Sequence, residues 1–502
     1  VTDPDDTPDD GTPEDAPDTP GQISPDEARV HGFDQPYTYD VDSTASELVD
    51  RFGHLEPGVE TGVRVSVAGR LMLRRVQGKL AFGTLADASG RVQLFAPSAS
   101  TPDFEQFCEL NLGDWIGVGG EVMTTRRGEL SVRVDSWSLL ATTRRSFPDK
   151  WHGITDPDTR YRQRYVDLWV TEEARQAFQL RSRMVSLTRR FLEDRGYLEV
   201  ETPIFHPIPG GALARPFSTH HNALDQEMFL RIAPELYLKR LVVGGFDKVF
   251  EIGRVFRNEG TSTRHNPEFT MLECYEAYGD YHTYMSMVEE LVAGLAQELC
   301  GSTTISYGGR DVQLAAPWRR ATMSELTSEQ VGETVDLDTP VERLRQLCDA
   351  HDVPWKEAYG AGKLLLELYE KTAEHTLWDP TFVIDYPAEV SPLSREHREL
   401  PGLVERFEAI VVGRELCNGF SELTDPDVQR ARFEDQAEQN AAGDDEAMVV
   451  DHDYLRSLDY GLPPTVGLGI GIDRLAMLLA DVHNIRDIVL FPTLRPEQDP
   501  GA

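Results

Sequence analysis

Three stretches hold residue types that could do chemistry on a small charged molecule. The first is Val249 to Tyr281, VFEIGRVFRNEGTSTRHNPEFTMLECYEAYGDY. Two strand-like runs, Val249–Arg257 and Glu268–Tyr278, flank a polar loop with Gly and Pro, the pattern of a long antiparallel hairpin. Alternation along an extended strand turns Phe269, Met271, Glu273 and Tyr275 the same way, so an aromatic, a carboxylate and a phenol share a surface. Glu251 and Arg257 share a face of the first strand, and the loop adds Glu259, Arg264 and His265. Taken as composition alone, these residues fit a mixed-charge surface hairpin better than a site. The second stretch is Gly413 to Glu422, GRELCNGFSE, after an apolar strand at Phe407–Val412. Parity puts Asn418, Phe420 and Glu422 on one face, but not Glu415; a bulge near Cys417 is required if Glu415 serves the same site. The third is GLGIGIDR, Gly467 to Arg474, whose alternate glycines strip one strand face so that a flat ring can lie close. Asp473 is placed to cap a helix starting about Arg474.

The literal strings narrow the choice. FRNEGTSTRHNPEFTMLE resembles the second of the three motifs of class II aminoacyl-tRNA synthetases, and GLGIGIDR followed by IRDIVLFP resembles the third. The wider text APELYLKRLVVGGFDKVFEIGRVFRNEG is similar to bacterial-type lysyl-tRNA synthetases of subclass IIb. That resemblance implies ATP-dependent activation of L-lysine and its transfer to lysine tRNA. Arg257 and Arg474 would carry the catalytic charge, Arg257 on the α-phosphate and the lysine carboxylate, Arg474 on adenine and the γ-phosphate. Phe269 would stack under adenine, with Glu259 and His265 on the nucleotide. Glu408 and Glu415 would hold Mg²⁺ beside the ATP phosphates, a chemically natural arrangement. Gly211 and Glu235 would hold the α-amino group. Glu273, Tyr275 and Glu422 would surround the ε-ammonium, and Asn418 and Phe420 would complete the pocket. A carboxylate-lined pocket argues against aspartate or asparagine as substrate, since a buried acid rejects an anionic side chain. Cys417 departs from the family, which commonly has a smaller residue such as Gly there. No Ser–His or Cys–His nucleophile motif is present, and the implied chemistry needs none.

These residues need a scaffold. Residues 1–24 are acidic and Pro-rich with almost nothing apolar, which predicts a disordered tail; residues 25–60 include a short helix at Thr44–Phe52. From 61 to 145, alternating Val63, Val65 and Val67 open five strand-like runs, continuing at Leu80–Leu85, Arg91–Phe95, Asp114–Met123 and Leu130–Leu140, as in a small β-barrel. The text GVRVSVAGRLMLRRVQGKLAFGTLADASGRVQLF resembles the anticodon-binding OB-fold of class IIb synthetases. By that resemblance Phe82 and Gln93 hold a splayed base, with Arg70 among the basic residues that bind the anticodon. Residues 146–176 read as a connector, and 177–502 as the catalytic domain, with a helical insertion at about 318–375. Ala177–Leu192 followed by GYLEVETP resembles the first motif, which implies a homodimer. The expected fold is α+β: a five-stranded OB-fold barrel, then a class II catalytic domain built on an antiparallel sheet flanked by helices.

Bulk properties set the outer limits. The chain has 502 residues and a formal net charge of −37, so RNA binding must rest on local basic patches inside a repulsive field. Salt adaptation and an ordinary acidic surface explain that charge equally well. The five cysteines are scattered and form no C-x-x-C pair, which suggests neither a disulfide framework nor a zinc site. No apolar run spans a membrane and no basic–apolar leader is seen, so a cytoplasmic protein is expected. Two rivals share the scaffold: a paralogue that lysylates a protein, which generally lacks the OB domain, and a non-catalytic RNA-binding protein. A lysyl-lipid fusion would need membrane spans.

Overall fold

The computed structural model describes residues 36–145, 154–441 and 447–496. The expected acidic tail lies outside the described residues, as does the start of the expected connector. The chain divides into two compact units between residues 155 and 156.

In the first unit, the helix Ala45–Phe52 starts from a capping box. The Thr44 hydroxyl accepts from the Glu47 N–H, and the Glu47 carboxylate accepts from the Thr44 N–H at 2.8 Å. Five strands follow: Glu60–Gln77, Leu80–Ala86, Arg91–Pro97, Trp115–Thr124 and Leu130–Ala141. They close into a barrel in the order first, second, third, fifth, fourth, and only the third and fifth pair in parallel. Alternation sends Val65, Val67, Leu71, Leu85, Leu94 and Val118 inward to one core. A short helix that periodicity did not announce, Phe104–Glu109, adds Phe107 to that core.

The second unit is built on an eight-stranded sheet. Its order is Arg319–Thr322, Thr381–Pro387, Leu403–Val411, Arg414–Ser421, Thr465–Gly471, Glu268–Ala277, Lys248–Phe256 and Leu198–Glu199. The sheet is antiparallel through its middle, with a parallel pair at each edge. One face packs Phe250, Leu272, Cys274, Cys417, Leu468 and Ile470 in the core shared with the helices Glu172–Glu193, Tyr281–Cys300 and Ile472–Leu479. The other face is left to the site and to the short helix Glu235–Val243, which packs against Val249 and Tyr275. The helices Met323–Val331, Val341–Ala350 and Ala361–Thr372 form a separate core against Val383, Val404 and Ile410 at the sheet edge.

Two helices, Pro157–Arg162 and Arg164–Val170, occupy a segment read from sequence as connector. Their arginines look like a solvated surface in composition. Arg164 is instead fully buried, donating to Asp167 at 2.6 Å and to the carbonyls of Arg486 and Leu490 at 2.6 and 3.1 Å.

Candidate active site

Backbone register brings the three chemistry-bearing stretches onto one surface. Glu251, Glu273, Gly469, Asn418 and Glu408 stand in a single row across five strands. Two residues along, on the same face, Val249, Tyr275, Gly467, Phe420 and Arg406 form the next row. The face parity expected for Glu273 and Tyr275, and for Asn418 and Phe420, is therefore observed. Glu251 closes the edge of its row: its carboxylate pairs with Arg231 and accepts from the Thr202 hydroxyl at 2.7 Å. Of the three alternate glycines, Gly467 is the one the protein itself requires, because a Cβ there would overlap the Glu422 carboxylate and the Tyr275 ring. At Gly469 and Gly471 nothing among the described residues lies closer than 3.6 Å to such a Cβ, so space is left over the sheet at these two positions.

At one end of this surface three carboxylates are buried together. Glu235, Glu273 and Glu422 are each at most 6% exposed. The Tyr275 hydroxyl donates to Glu273 at 3.1 Å. Gly211 has φ +88°, and a Cβ there would come within 3.1 Å of the Glu235 Cβ, so the Gly211 backbone sits directly against Glu235. Among the acids lies the chain's own Lys239, fully buried, with Nζ 2.6 Å from Glu235 Oε1, ion-paired to Glu422, and 5.3 Å from the Phe420 ring centroid. Burial raises all three carboxyls, and Lys239 opposes this at Glu235 and Glu422. Glu273 has no ion pair among the described residues; burial and the neighbouring Glu235 push it up to about 8.

At the other end the groups are cationic. Arg257 follows the strand Lys248–Phe256, and its N–H donates to the Pro267 carbonyl at 2.8 Å across the neck of the hairpin loop. Its guanidinium lies 5.2 Å from the Phe269 ring centroid. Arg474 donates to both the side chain and the carbonyl of Glu415, at 2.9 and 2.7 Å. Arg406 holds Glu408 at 2.6 Å and Asn418 at 3.1 Å, with its guanidinium 4.4 Å from the Tyr386 ring centroid. Burial and the nearby Glu415 raise Glu408. Burial acts the same way on Glu415, but Arg474, Arg257 and Arg406 outweigh it and hold that carboxyl below its ordinary value. In the loop, His265 shares a 3.1 Å hydrogen bond with the Ser262 hydroxyl; burial and Arg474 lower its pKa, favouring the neutral imidazole. Glu259 is exposed on the same loop.

The bulge needed near Cys417 is present. Ala409 faces Cys417 but Ile410 faces Glu415, which leaves Leu416 as the extra residue and resets the parity of Glu415. Cys417 itself is 1% exposed and belongs to the core under the sheet, so its thiol replaces core volume rather than site surface. The expectation for Asp473 is corrected. The helix begins at Ile472 after Gly471 and takes no side-chain cap. Asp473 lies inside the first turn, where it accepts from the Thr270 N–H at 2.7 Å and pairs with Arg181 at 2.5 Å, pinning the second hairpin strand to two helices.

Comparison with known proteins decides the family. Residues 156–495 match the model of the class II tRNA synthetases (D, K and N), and residues 65–140 match that of the OB-fold nucleic acid binding domain. The chain belongs to the class II tRNA synthetases of the D, K and N group. A lysine–tRNA ligase of Synechococcus sp. (strain RCC307) is 53% identical over 460 residues, 91% of this chain and 92% of that protein. One of Idiomarina loihiensis is 50% identical over 484 residues, covering 94% and 95%. One of Nostoc punctiforme is 51% identical over 475 residues, covering 92% and 85%.

In this synthetase the barrel carries a second candidate surface. Phe82 and Phe95 face each other in register, with ring centroids 5.6 Å apart, and Thr84 and Gln93 are the next outward pair. Phe82 is half-buried and stands outside the barrel core; Gln93 donates to the Ser131 hydroxyl at 2.8 Å. Arg70 lies on the first strand opposite Ala86, while Phe82 lies opposite Arg75 further along that strand; the Arg70 guanidinium donates to the Gly113 carbonyl at 2.7 Å and lies 4.7 Å from the Trp115 ring centroid. Two site residues escaped the sequence reading: Arg406, which orients Glu408 and Asn418, and Lys239. The i, i+4 spacing of Glu235 and Lys239 on one helix was the available signal for the second.

Proposed function

We propose that this surface activates L-lysine with ATP and passes it to the 3′ end of lysine tRNA, the activity of a lysine–tRNA ligase. The observation that carries the proposal is the buried trio Glu235, Glu273 and Glu422 at one end of a surface whose other end holds the cationic groups Arg257, Arg406 and Arg474. An amino acid with ammonium groups at both ends fits the acidic end, and its carboxylate is then directed toward Arg257 and the phosphates. In the first step that carboxylate attacks the α-phosphorus in line; the P–O bond to pyrophosphate breaks and lysyl-adenylate forms. In the second, a terminal ribose hydroxyl of the tRNA attacks the activated carbonyl and AMP leaves. The carboxylate nucleophile is already ionised, so the chain's task is positioning and charge stabilisation. Arg257 and Arg474 stabilise negative charge on the phosphates, and Phe269 supplies a flat face for adenine beside Glu259 and His265. Open space above Gly469 and Gly471 supports a ring and phosphates lying close to the sheet.

Glu408 and Glu415 suit Mg²⁺ in kind: two hard carboxylates, each partly satisfied by an arginine, match an ion that keeps waters and shares phosphate oxygens. Among the described residues no group of three or more His, Cys, Asp or Glu is arranged to hold a metal. When bound there, Mg²⁺ would neutralise the triphosphate and the pyrophosphate that leaves. Phe82 and Gln93 are assigned to stacking and hydrogen bonding with an anticodon base, and Arg70 to the adjoining RNA backbone. A homodimer through the helix Glu172–Glu193 and a cytoplasmic location complete the proposal. Among the described residues no helix is long and apolar enough to cross a membrane.

The test is Glu422→Gln, which keeps shape and removes charge. Lysine-dependent ATP–pyrophosphate exchange should fall by about a hundredfold or more, as expected when a buried ammonium loses its counter-charge. Near-normal exchange would move ammonium recognition elsewhere.

A further inference from the structure

We infer that Lys239 is a specificity-determining residue of the lysine site, a built-in cation paired to both Glu235 and Glu422 that sets the pocket's charge for a substrate with two ammonium groups. The inference rests on the assignment of the lysine pocket above and adds to it a residue that touches no substrate atom.

Counting charge shows why a cation is needed. Three buried carboxylates that act on one another electrostatically cannot all ionise, because desolvation and like-charge repulsion each favour uptake of protons. A protonated carboxyl turned toward an ammonium presents a donor to a donor, and recognition is lost. One internal ammonium changes the sum from −3 to −2. That remainder matches the α- and ε-ammonium groups of lysine, whose own carboxylate belongs to Arg257. A substrate with a single ammonium leaves the pocket one charge short, which is costly out of water.

The surroundings of Lys239 show that it has no solvent-facing alternative. Nζ is 2.6 Å from Glu235 Oε1 on its own helix and paired with Glu422 just beyond the strand Arg414–Ser421. The Phe420 ring covers one side, and the Tyr454 hydroxyl from the helix His452–Leu458 is buried nearby with no hydrogen-bond partner among the described residues. Glu273 and Tyr275 of the central strand complete the acidic side, and Arg406 also acts electrostatically on Glu235. Burial disfavours the Lys239 ammonium, but Glu235 and Glu422 outweigh it and keep the ammonium charged. The same bridge ties the helix bearing Glu235 to the strand end bearing Glu422, so it also sets the separation of the carboxylates assigned to the two ends of lysine.

The experiment compares Lys239→Met, Lys239→Gln and Lys239→Arg in the full chain by lysine-dependent ATP–pyrophosphate exchange between pH 6.5 and 8.5, with thermal melts. For the neutral variants, KM for lysine at pH 7 should rise at least tenfold while KM for ATP changes less than about twofold. The excess should shrink as pH rises, with a slope steeper than in the wild type, because more than one carboxyl must now release a proton on binding. Lys239→Arg should restore the wild-type slope. A fall in kcat and melting temperature with an unchanged pH profile of lysine KM would overturn the inference. So would neutral variants that fail to fold beside a folded Lys239→Arg, since Lys239 would then serve stability alone. Glu422→Gln run in parallel separates the two levels: if it too leaves lysine KM unchanged, the pocket assignment fails; if it alone raises KM, only the role of Lys239 fails.

Discussion

Glu273 differs from its two acidic neighbours in having no cation paired to it among the described residues, and its proton therefore becomes a reporter. Burial and Glu235 raise its pKa to about 8, so much of it is protonated at pH 7 in the free protein. An ammonium demands the carboxylate, so lysine binding should expel this proton. KM for lysine should fall as pH rises toward 8, by up to tenfold per pH unit, then level off. Glu273→Gln should abolish that slope along with most of the affinity. The stability sign is the reverse of the usual acid. A carboxyl raised on folding binds more protons folded than unfolded, so its contribution is retained at low pH and lost as pH climbs from the unfolded value to about 8. Glu273→Gln should accordingly melt higher than wild type at pH 8 and close to it at pH 4, even though it binds lysine poorly. A melt shift of equal size at both pH values would show that Glu273 is not titrating in this range.

At the scale of elements, one extra residue decides whether the site's two halves meet. Leu416 is that residue, and without its bulge Glu415 would point to the opposite face of the sheet from Asn418. Deleting Leu416 should break the contact between Arg474 and Glu415 and abolish exchange, while substituting it by Ile, which keeps the count, should leave most of the activity. The barrel surface makes a complementary prediction. Phe82 pairs edge-on with Phe95 outside the core, so Phe82→Ala should cost roughly 0.5–1.5 kcal/mol of stability rather than the roughly 3–5 kcal/mol of a core phenylalanine. It should lower aminoacylation of lysine tRNA by about tenfold or more, since a stacked base contributes roughly 1–3 kcal/mol. Lysine-dependent exchange, which needs no tRNA, should not change; a stable variant that charges tRNA normally would remove Phe82 from the anticodon surface. These elements were legible because strand parity is strict: period two set the faces of Glu273, Tyr275, Asn418 and Phe420, and forced the bulge. Buried charge was not legible. Arg164, Lys239, Arg406 and Asp473 have the composition of a wet surface, and only their partners show that they are interior braces; most of these are distant in sequence, apart from Asp167 for Arg164, Glu235 for Lys239 and Glu408 for Arg406.

Over the whole molecule, lysine recognition and activation are assigned to the second unit, and RNA recognition in part to the barrel of the first. The net charge of −37 is carried by a chain whose candidate site is itself divided, acidic at the end proposed for lysine and cationic at the end proposed for the phosphates. That division is the central claim, because it makes the amino acid's charge pattern, rather than its size, the basis of choice. Lysine has an ammonium for each free unit of negative charge and a carboxylate for Arg257; aspartate and asparagine do not. The direct measurement is ATP–pyrophosphate exchange by the full chain with each of the twenty amino acids in turn, at saturating ATP and Mg²⁺. Lysine alone should support rapid exchange, with aspartate and asparagine at background. Exchange driven by aspartate or asparagine, or no exchange with lysine, would contradict the account.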